Sequence, residues 1–275
     1  MKRTIMSYMV ATILSLTAVI GLAMQPTAEL AHAQTNTQTP PSSSSASNTT
    51  VPAVTNPACG EVVQGNVNLT SNLVCTGDGL IIGADNTVVN LNGYTISGPG
   101  QQSSKVGIVV PDNDNVAIMG DGTIKGFQAG ILITGANTVQ VKLVGLTDDE
   151  IGVFATGARG VTLSQNTIYN NNSGIAMHSS NGASIIGNML SGDTLAGLTL
   201  VNTQKSIISA NNVEGGQNGL FLDAQSHDNT INMNNILHNV IDLNNANGLA
   251  PNINVNSFAD NNCMVSNPSG LCIGR

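Results

Sequence analysis

Glycine recurs along this chain about every 22 residues, each time opening one short phrase: glycine, an apolar residue, a variable position and a second apolar residue. The phrase reads Gly79-Leu80-Ile81-Ile82, Gly107-Ile108-Val109-Val110, Gly130-Ile131-Leu132-Ile133 and Gly152-Val153-Phe154-Ala155. It continues through Gly174-Ile175-Ala176-Met177, Gly197-Leu198-Thr199-Leu200 and Gly219-Leu220-Phe221-Leu222 to a degenerate copy at Val240-Ile241-Asp242-Leu243. Two more apolar columns keep the same step. One is Leu91, Ile118, Val141, Leu163, Ile185, Ile208, Ile231 and Ile253; the other is Ile96, Ile124, Leu146, Ile168, Leu190, Val213, Ile236 and Phe258. Each repeat thus holds three short runs of period-2 alternation, none long enough to bury a face alone. Stacked in register, the runs become three parallel sheets around one apolar shaft. About eight rungs at about 4.8 Å each give a rod on the order of 40 Å long.

Composition agrees with a packed repeat body. The 275 residues are 41% hydrophobic, which argues against disorder, yet only 9% charged and 3% aromatic, with no Trp. The formal net charge is −8 and there is no basic run, so nucleic acid is excluded as a partner.

The N-terminus reads as an export signal over residues 1–33. Lys2-Arg3 is followed by an apolar stretch from Ile5 to Ala23 and an Ala31-His32-Ala33 cleavage site. Left uncleaved, the same stretch approaches spanning length and is the one route to a membrane. Residues 34–57, rich in Ser, Thr, Pro and Asn without charge, read as a flexible linker. The repeat domain is 58–275. Its four cysteines lie at the two ends of the repeats, which fits an oxidising compartment. The ends of such a rod are too far apart to be bridged, so the expected disulfides are local: Cys59 with Cys75 and Cys263 with Cys272. Each would staple a cap over an open sheet edge.

The segments Cys59-Gly60 and Leu73-Val74-Cys75-Thr76-Gly77-Asp78-Gly79, followed by Asn90-Leu91-Asn92-Gly93-Tyr94-Thr95-Ile96, resemble the entry cap and first rungs of exported right-handed parallel β-helix proteins of the pectate-lyase-like superfamily, with NosD-like relatives among them. The resemblance spans about 59–272. It implies an all-β, right-handed parallel β-helix, and leaves activity open among lyases, hydrolases, epimerases, NosD-like metal-handling proteins and binding proteins, since function lives in sites grafted on the fold. Asn166, Asn188, Asn211, Asn234 and Asn256, each two residues before the third apolar column, support it as a stacked asparagine ladder.

The family's enzymes need motifs that are missing here: no Gly-His-Gly, no Arg-x-Lys and no Asp-Pro-His stretch occurs. One candidate remains, a calcium site of Asp148, Asp149 and Asp193 near Asn170-Asn171-Asn172, with Lys125 as the base of a uronate lyase or epimerase. The plain alternative is a solvated acidic turn with a surface ion pair to Lys125. Asp112-Asn113-Asp114-Asn115 reads as a turn. A NosD-like copper site would draw on His178, His227 and His238 with Met177, Met189 and Met233, which share no register.

In the glycine phrase the variable position should point outward, giving a mostly apolar stripe of Ile81, Val109, Leu132, Phe154, Ala176, Thr199 and Phe221, ending at Asp242. Such a stripe is either a contact surface, with Ile81, Val109, Leu132, Phe154 and Phe221 as the binding residues, or lies under a loop or tail, with 99–106 and the C-terminal segment as the nearest candidates. The leading reading is a secreted or surface-displayed β-helix, with the periplasm as an alternative, that binds extracellular polysaccharide or a cell-surface protein without catalysis. The calcium-dependent lyase or epimerase is the alternative, and a NosD-like metal-handling protein the third.

Overall fold

The structure, a computed structural model, describes residues 54–273. The expected signal peptide, and the linker as far as residue 53, lie outside the described residues. The described chain is almost wholly strand, in three parallel sheets of ten, eight and ten strands. Every pairing joins a strand to its counterpart one repeat away, so the chain is a parallel β-helix with close to the expected number of rungs. Only one helical turn interrupts it among the described residues, the 3-10 turn Pro251–Ile253. No described helix is long and apolar enough to cross a membrane.

The glycine phrase forms the sheet with the longest strands, which include Val106–Pro111, Ala129–Thr134, Ile151–Thr156, Ser173–His178 and Ala196–Val201. The other two columns form three-residue strands such as Gln140–Lys142 in the second sheet and Gly145–Thr147 in the third. Register is kept rung by rung: Ile124 pairs with Ile96 and Leu146, and Val141 pairs with Ile118 and Leu163. Ile131, Ile133, Val141, Leu146, Val153 and Leu163 are fully buried in one continuous apolar cluster along the shaft. Each such side chain contributes about 1.5–3 kcal/mol relative to exposure.

Three corners per repeat turn the chain, and each uses the same device. One residue adopts a left-handed backbone, and the residue after it points its side chain inward, along the stack. Between the second and third sheets the left-handed residues are Leu143, Gln165, Gly187, Ala210, Met233 and Asp260, at φ between 54° and 66°. The inward residues that follow are Val144, Asn166, Asn188, Asn211, Asn234 and Asn261, all buried. Each asparagine from 166 to 234 accepts the N–H of the rung before on Oδ1 and donates from Nδ2 to the next rung's Oδ1 and to a backbone carbonyl. A second such ladder, Ser206, Asn229 and Asn256, fills the corner between the long-strand sheet and the second.

The last repeat departs from the simple 22-residue step. Phe258 pairs with Ile231 in the second sheet, not with the third column, while Ile253 sits exposed in the 3-10 turn. The inserted stretch around that turn lengthens the repeat, so Asn256 joins the ladder of Asn229, and the expected ladder ends at Asn261 instead. A similar slip moves the degenerate phrase: Asn244, not Asp242, pairs with Phe221. Asp242 is buried and caps the backbone N–H groups of Met264 and Val265.

Both disulfides form as expected. Cys59–Cys75 closes the N-terminal end and Cys263–Cys272 the C-terminal end, with Cα separations of 5.6 Å and 5.2 Å, and no described cysteine is free. The first contributes on the order of 3 kcal/mol by loop closure.

Candidate functional site

The acidic segment of the sequence lies at the third corner, where the chain passes from the third sheet into the long-strand sheet. The corner device operates here too. Gly126, Asp148, Asn170, Gly192, Gly215 and His238 are left-handed, and the residues that follow are Phe127, Asp149, Asn171, Asp193, Gly216 and Asn239. This sends neighbouring residues in opposite directions: Asp148 is exposed, whereas Asp149 and Asp193 are 0% and 1% exposed.

Inside the corner these acids are rungs. Asp149 Oδ1 accepts the N–H of Phe127 at 2.7 Å, and Asp149 donates its own N–H to Asn171 Oδ1 at 2.9 Å. Asn171 donates its N–H and its Nδ2 to Asp193 Oδ1, both at 3.0 Å, and a second Nδ2 bond to Leu146 O at 3.3 Å. The second carboxyl oxygen, Oδ2, of each acid is buried without a partner. Burial is the main cause that pushes Asp149 up to about 8 and Asp193 up to about 7. Backbone N–H bonds oppose the shift in both, the Asn171 side chain also opposes it at Asp193, and the charge of Asp148 adds to it at Asp149.

This geometry corrects the calcium and base assignments. Asp149 and Asp193 are two rungs apart with Asn171 between them, sealed from solvent, and Asp148 faces the other way. Among the described residues no group of three His, Cys, Asp or Glu converges on a point. Lys125 is exposed and pairs with Thr147, not with Asp148, and forms no ion pair among the described residues; the expected surface bridge is absent there.

On the solvent side of this corner a second ladder runs parallel to the buried one. Asn172 donates to Glu150 Oε1 at 2.8 Å, and the Thr194 hydroxyl donates to Asn172 Oδ1 at 2.8 Å. Tyr169, exposed on the third sheet, pairs with Thr147 and Ser191 on the same flank. In the sequence, Asn170-Asn171-Asn172 looked like a supply of oxygen ligands. Its residues instead divide into a turn, a buried rung and a half-buried rung, and the left-handed residue that sorts them is Gly, Asp, Asn or His in each repeat of this corner, the residue types that enter that region most readily.

The apolar stripe forms one in-register column: Val109, Leu132, Phe154, Ala176, Thr199 and Phe221 pair in succession. It stands apart from the shaft cluster. Its middle is closed to solvent, with Leu132 2%, Phe154 1% and Ala176 2% exposed, and Val109 is also buried. Ile81 and Phe221, at its two ends, are half-buried. The stripe is therefore closed to solvent over most of its length and does not form the open contact surface expected of it.

A copper site of the NosD-like kind would need soft or imidazole donors brought together. The four cysteines are tied in disulfides. His178 lies in the long-strand sheet, His227 at the corner beyond it and His238 at the corner before it, and Met177 is core. Burial pushes His178 below the ordinary histidine range against the charge of Asp223. The described residues do not fit a copper centre.

Solved structures with the same fold include a double mutant of the periplasmic alginate epimerase AlgG, at 14% identity and TM-score 0.59, covering 74% of this chain and 55% of that one. The Dettilon tailspike protein matches at 16% identity and TM-score 0.53, over 62% of this chain and 38% of that one. DFA-IIIase from Arthrobacter chlorophenolicus A6 matches at 15% identity and TM-score 0.50, over 71% and 53%. The chain thus spans about half the length of these proteins or less. No curated protein matches it. The family model described as periplasmic copper-binding protein (NosD) matches residues 60–270, and this chain belongs to that family.

Proposed function

We propose that this protein is an exported β-helix that binds an extended carbohydrate polymer along one flank and leaves it chemically unchanged. The observation that carries the reading is the solvent-side ladder Glu150–Asn172–Thr194, half-buried at Glu150 and Asn172 and exposed at Thr194, whose polar groups are held in register by the stack. A ladder of this kind offers fixed donors and acceptors at a regular step, and Tyr169 beside it offers an aromatic face for a sugar ring. The acids that could serve catalysis are spent inside the wall. The alginate epimerase among the solved structures with this fold supports a carbohydrate ligand, and the two disulfides suit a periplasmic or extracellular setting.

Affinity electrophoresis through gels cast with neutral and uronate polysaccharides tests this. Retardation in at least one gel without a cleared zone is the expected result, weakened in Asn172→Ala and Tyr169→Ala. Free passage through every gel would overturn carbohydrate binding. A cleared zone would replace the binding reading with a catalytic one.

A further inference from the structure

In the asparagine ladders, Oδ1 receives the N–H of the rung before, and Nδ2 gives its protons to the next rung's oxygen and to a backbone carbonyl some 25 residues back. Asn171 follows this rule, with Leu146 as the carbonyl. Asp149 and Asp193 follow its first half, each receiving an N–H on Oδ1. By the same rule Oδ2 takes the place that Nδ2 occupies in an asparagine rung, a place that faces a backbone carbonyl and, where the next rung carries an amide side chain, its Oδ1 as well; after Asp193 the next rung is Gly216 and only the carbonyl remains. In Asp149 the acceptors are the Asn171 Oδ1 of the next rung and the carbonyl of the preceding strand. An ionised carboxylate there faces oxygen with oxygen. Both Oδ2 atoms lack any partner while buried.

The long-strand glycines confirm where these oxygens point. A Cβ on Gly130 would stand 2.6 Å from Asp149 Oδ2 and 2.8 Å from the Gly152 carbonyl oxygen. A Cβ on Gly174 would stand 2.5 Å from Asp193 Oδ2 and 2.6 Å from the Gly197 carbonyl oxygen. Each acid therefore reaches under the long-strand sheet toward a glycine, and among the described residues neither forms an ion pair. The charged groups around Asp149 are Asp148 and Glu150 of its own turn and Lys125 at the end of the strand below, all directed outward. Asp193 has Asn171 below and Gly216 above, with Glu214 at the strand end above it, half-exposed.

We infer that Asp149 and Asp193 are neutral carboxylic acids in the folded rod, each using its proton as an asparagine uses its amide hydrogens, and that their ionisation is a built-in alkaline trigger for loosening the corner beneath the long-strand sheet. The step is simple proton loss to water from Oδ2, leaving a buried carboxylate among acceptors. The upward shifts of both acids agree in direction. Because the folded state holds these protons where the unfolded chain gives them up, stability is fully present below about pH 4 and falls as pH rises through about 7 and 8.

The test is infrared spectroscopy of the protein across pH 5–9, following the stretching band of protonated carboxyl groups, beside thermal unfolding of the parent and of the Asp149→Asn, Asp193→Asn double variant. The expected results are a protonated-carboxyl band near pH 6 that disappears by pH 9 and is missing from the double variant, and a parent Tm that falls with pH where the variant's does so less. No such band in the parent at pH 6 would overturn the inference, whether or not the variant folds. Parallel Tm curves from a folded variant would overturn it too.

Discussion

Two corners of this rod are built by one backbone rule and filled by different chemistry. Between the second and third sheets, Asn166, Asn188, Asn211, Asn234 and Asn261 repeat one group, and each amide from Asn166 to Asn234 donates to the next rung's oxygen, the series ending on Asn261. At the next corner the rungs are Asp149, Asn171 and Asp193, a mixed column in which every second member lacks the amide hydrogens. The amide column is self-complementary and indifferent to pH. The mixed column is complete only while protons fill the places that amide hydrogens would take. Identical register does not ensure identical behaviour, because the backbone decides only where a side chain points.

The comparison breaks most severely if an acid is placed in the amide column. Asn188→Asp would set an oxygen against Asn211 Oδ1 and the Leu163 carbonyl, with a loss of about 3–5 kcal/mol at neutral pH and more at alkaline pH, measured by denaturant unfolding. Asn171→Leu is the next largest, since it leaves the Asp149 N–H and the Leu146 carbonyl buried without their bonds; about 2–3 kcal/mol should be lost at every pH. Asp193→Asn sharpens the contrast in the other direction. It should gain about 1–2 kcal/mol above pH 8 and change little below about pH 5; equal gains at both ends would mean that charge is not the cause. Asn172→Ala, in the solvent-side ladder, should shift stability by no more than about 0.5 kcal/mol, so that a loss of polysaccharide retardation in this variant reports on binding.

How much was legible beforehand follows from the same division. The apolar columns from Leu91 to Ile231 and from Ile96 to Ile236 were readable because period-2 alternation at a fixed repeat leaves no competing register. The ladder from Asn166 to Asn234 was readable for the same reason. Its last rung was not, since the insertion before Asn256 changes the count without changing the residue type. The inward turn of Asp149 is hidden in the sequence, because three acidic residues in a row look like one solvated turn. Asp is a residue type that enters the left-handed region readily, but Asp148 and Asp149 are identical, so the letters do not say which of them does so and which therefore turns inward. The stripe through Leu132 and Phe154 was readable as a column, but its burial was not, since alternation distinguishes the two faces of a sheet and not whether the outer one is covered.

The rung-to-rung register has a consequence for how this molecule can change over evolutionary time. Since Ile131 pairs with Val153 and Val153 with Ile175 through equivalent bonds, one complete coil is nearly interchangeable with the next. Excising or duplicating one whole coil of 22 or 23 residues between the two disulfide caps would leave every remaining junction with a familiar partner. Length here is a quantity adjustable in discrete steps, and relatives of this chain can differ in reach, as rulers of different length do, while keeping the same wall.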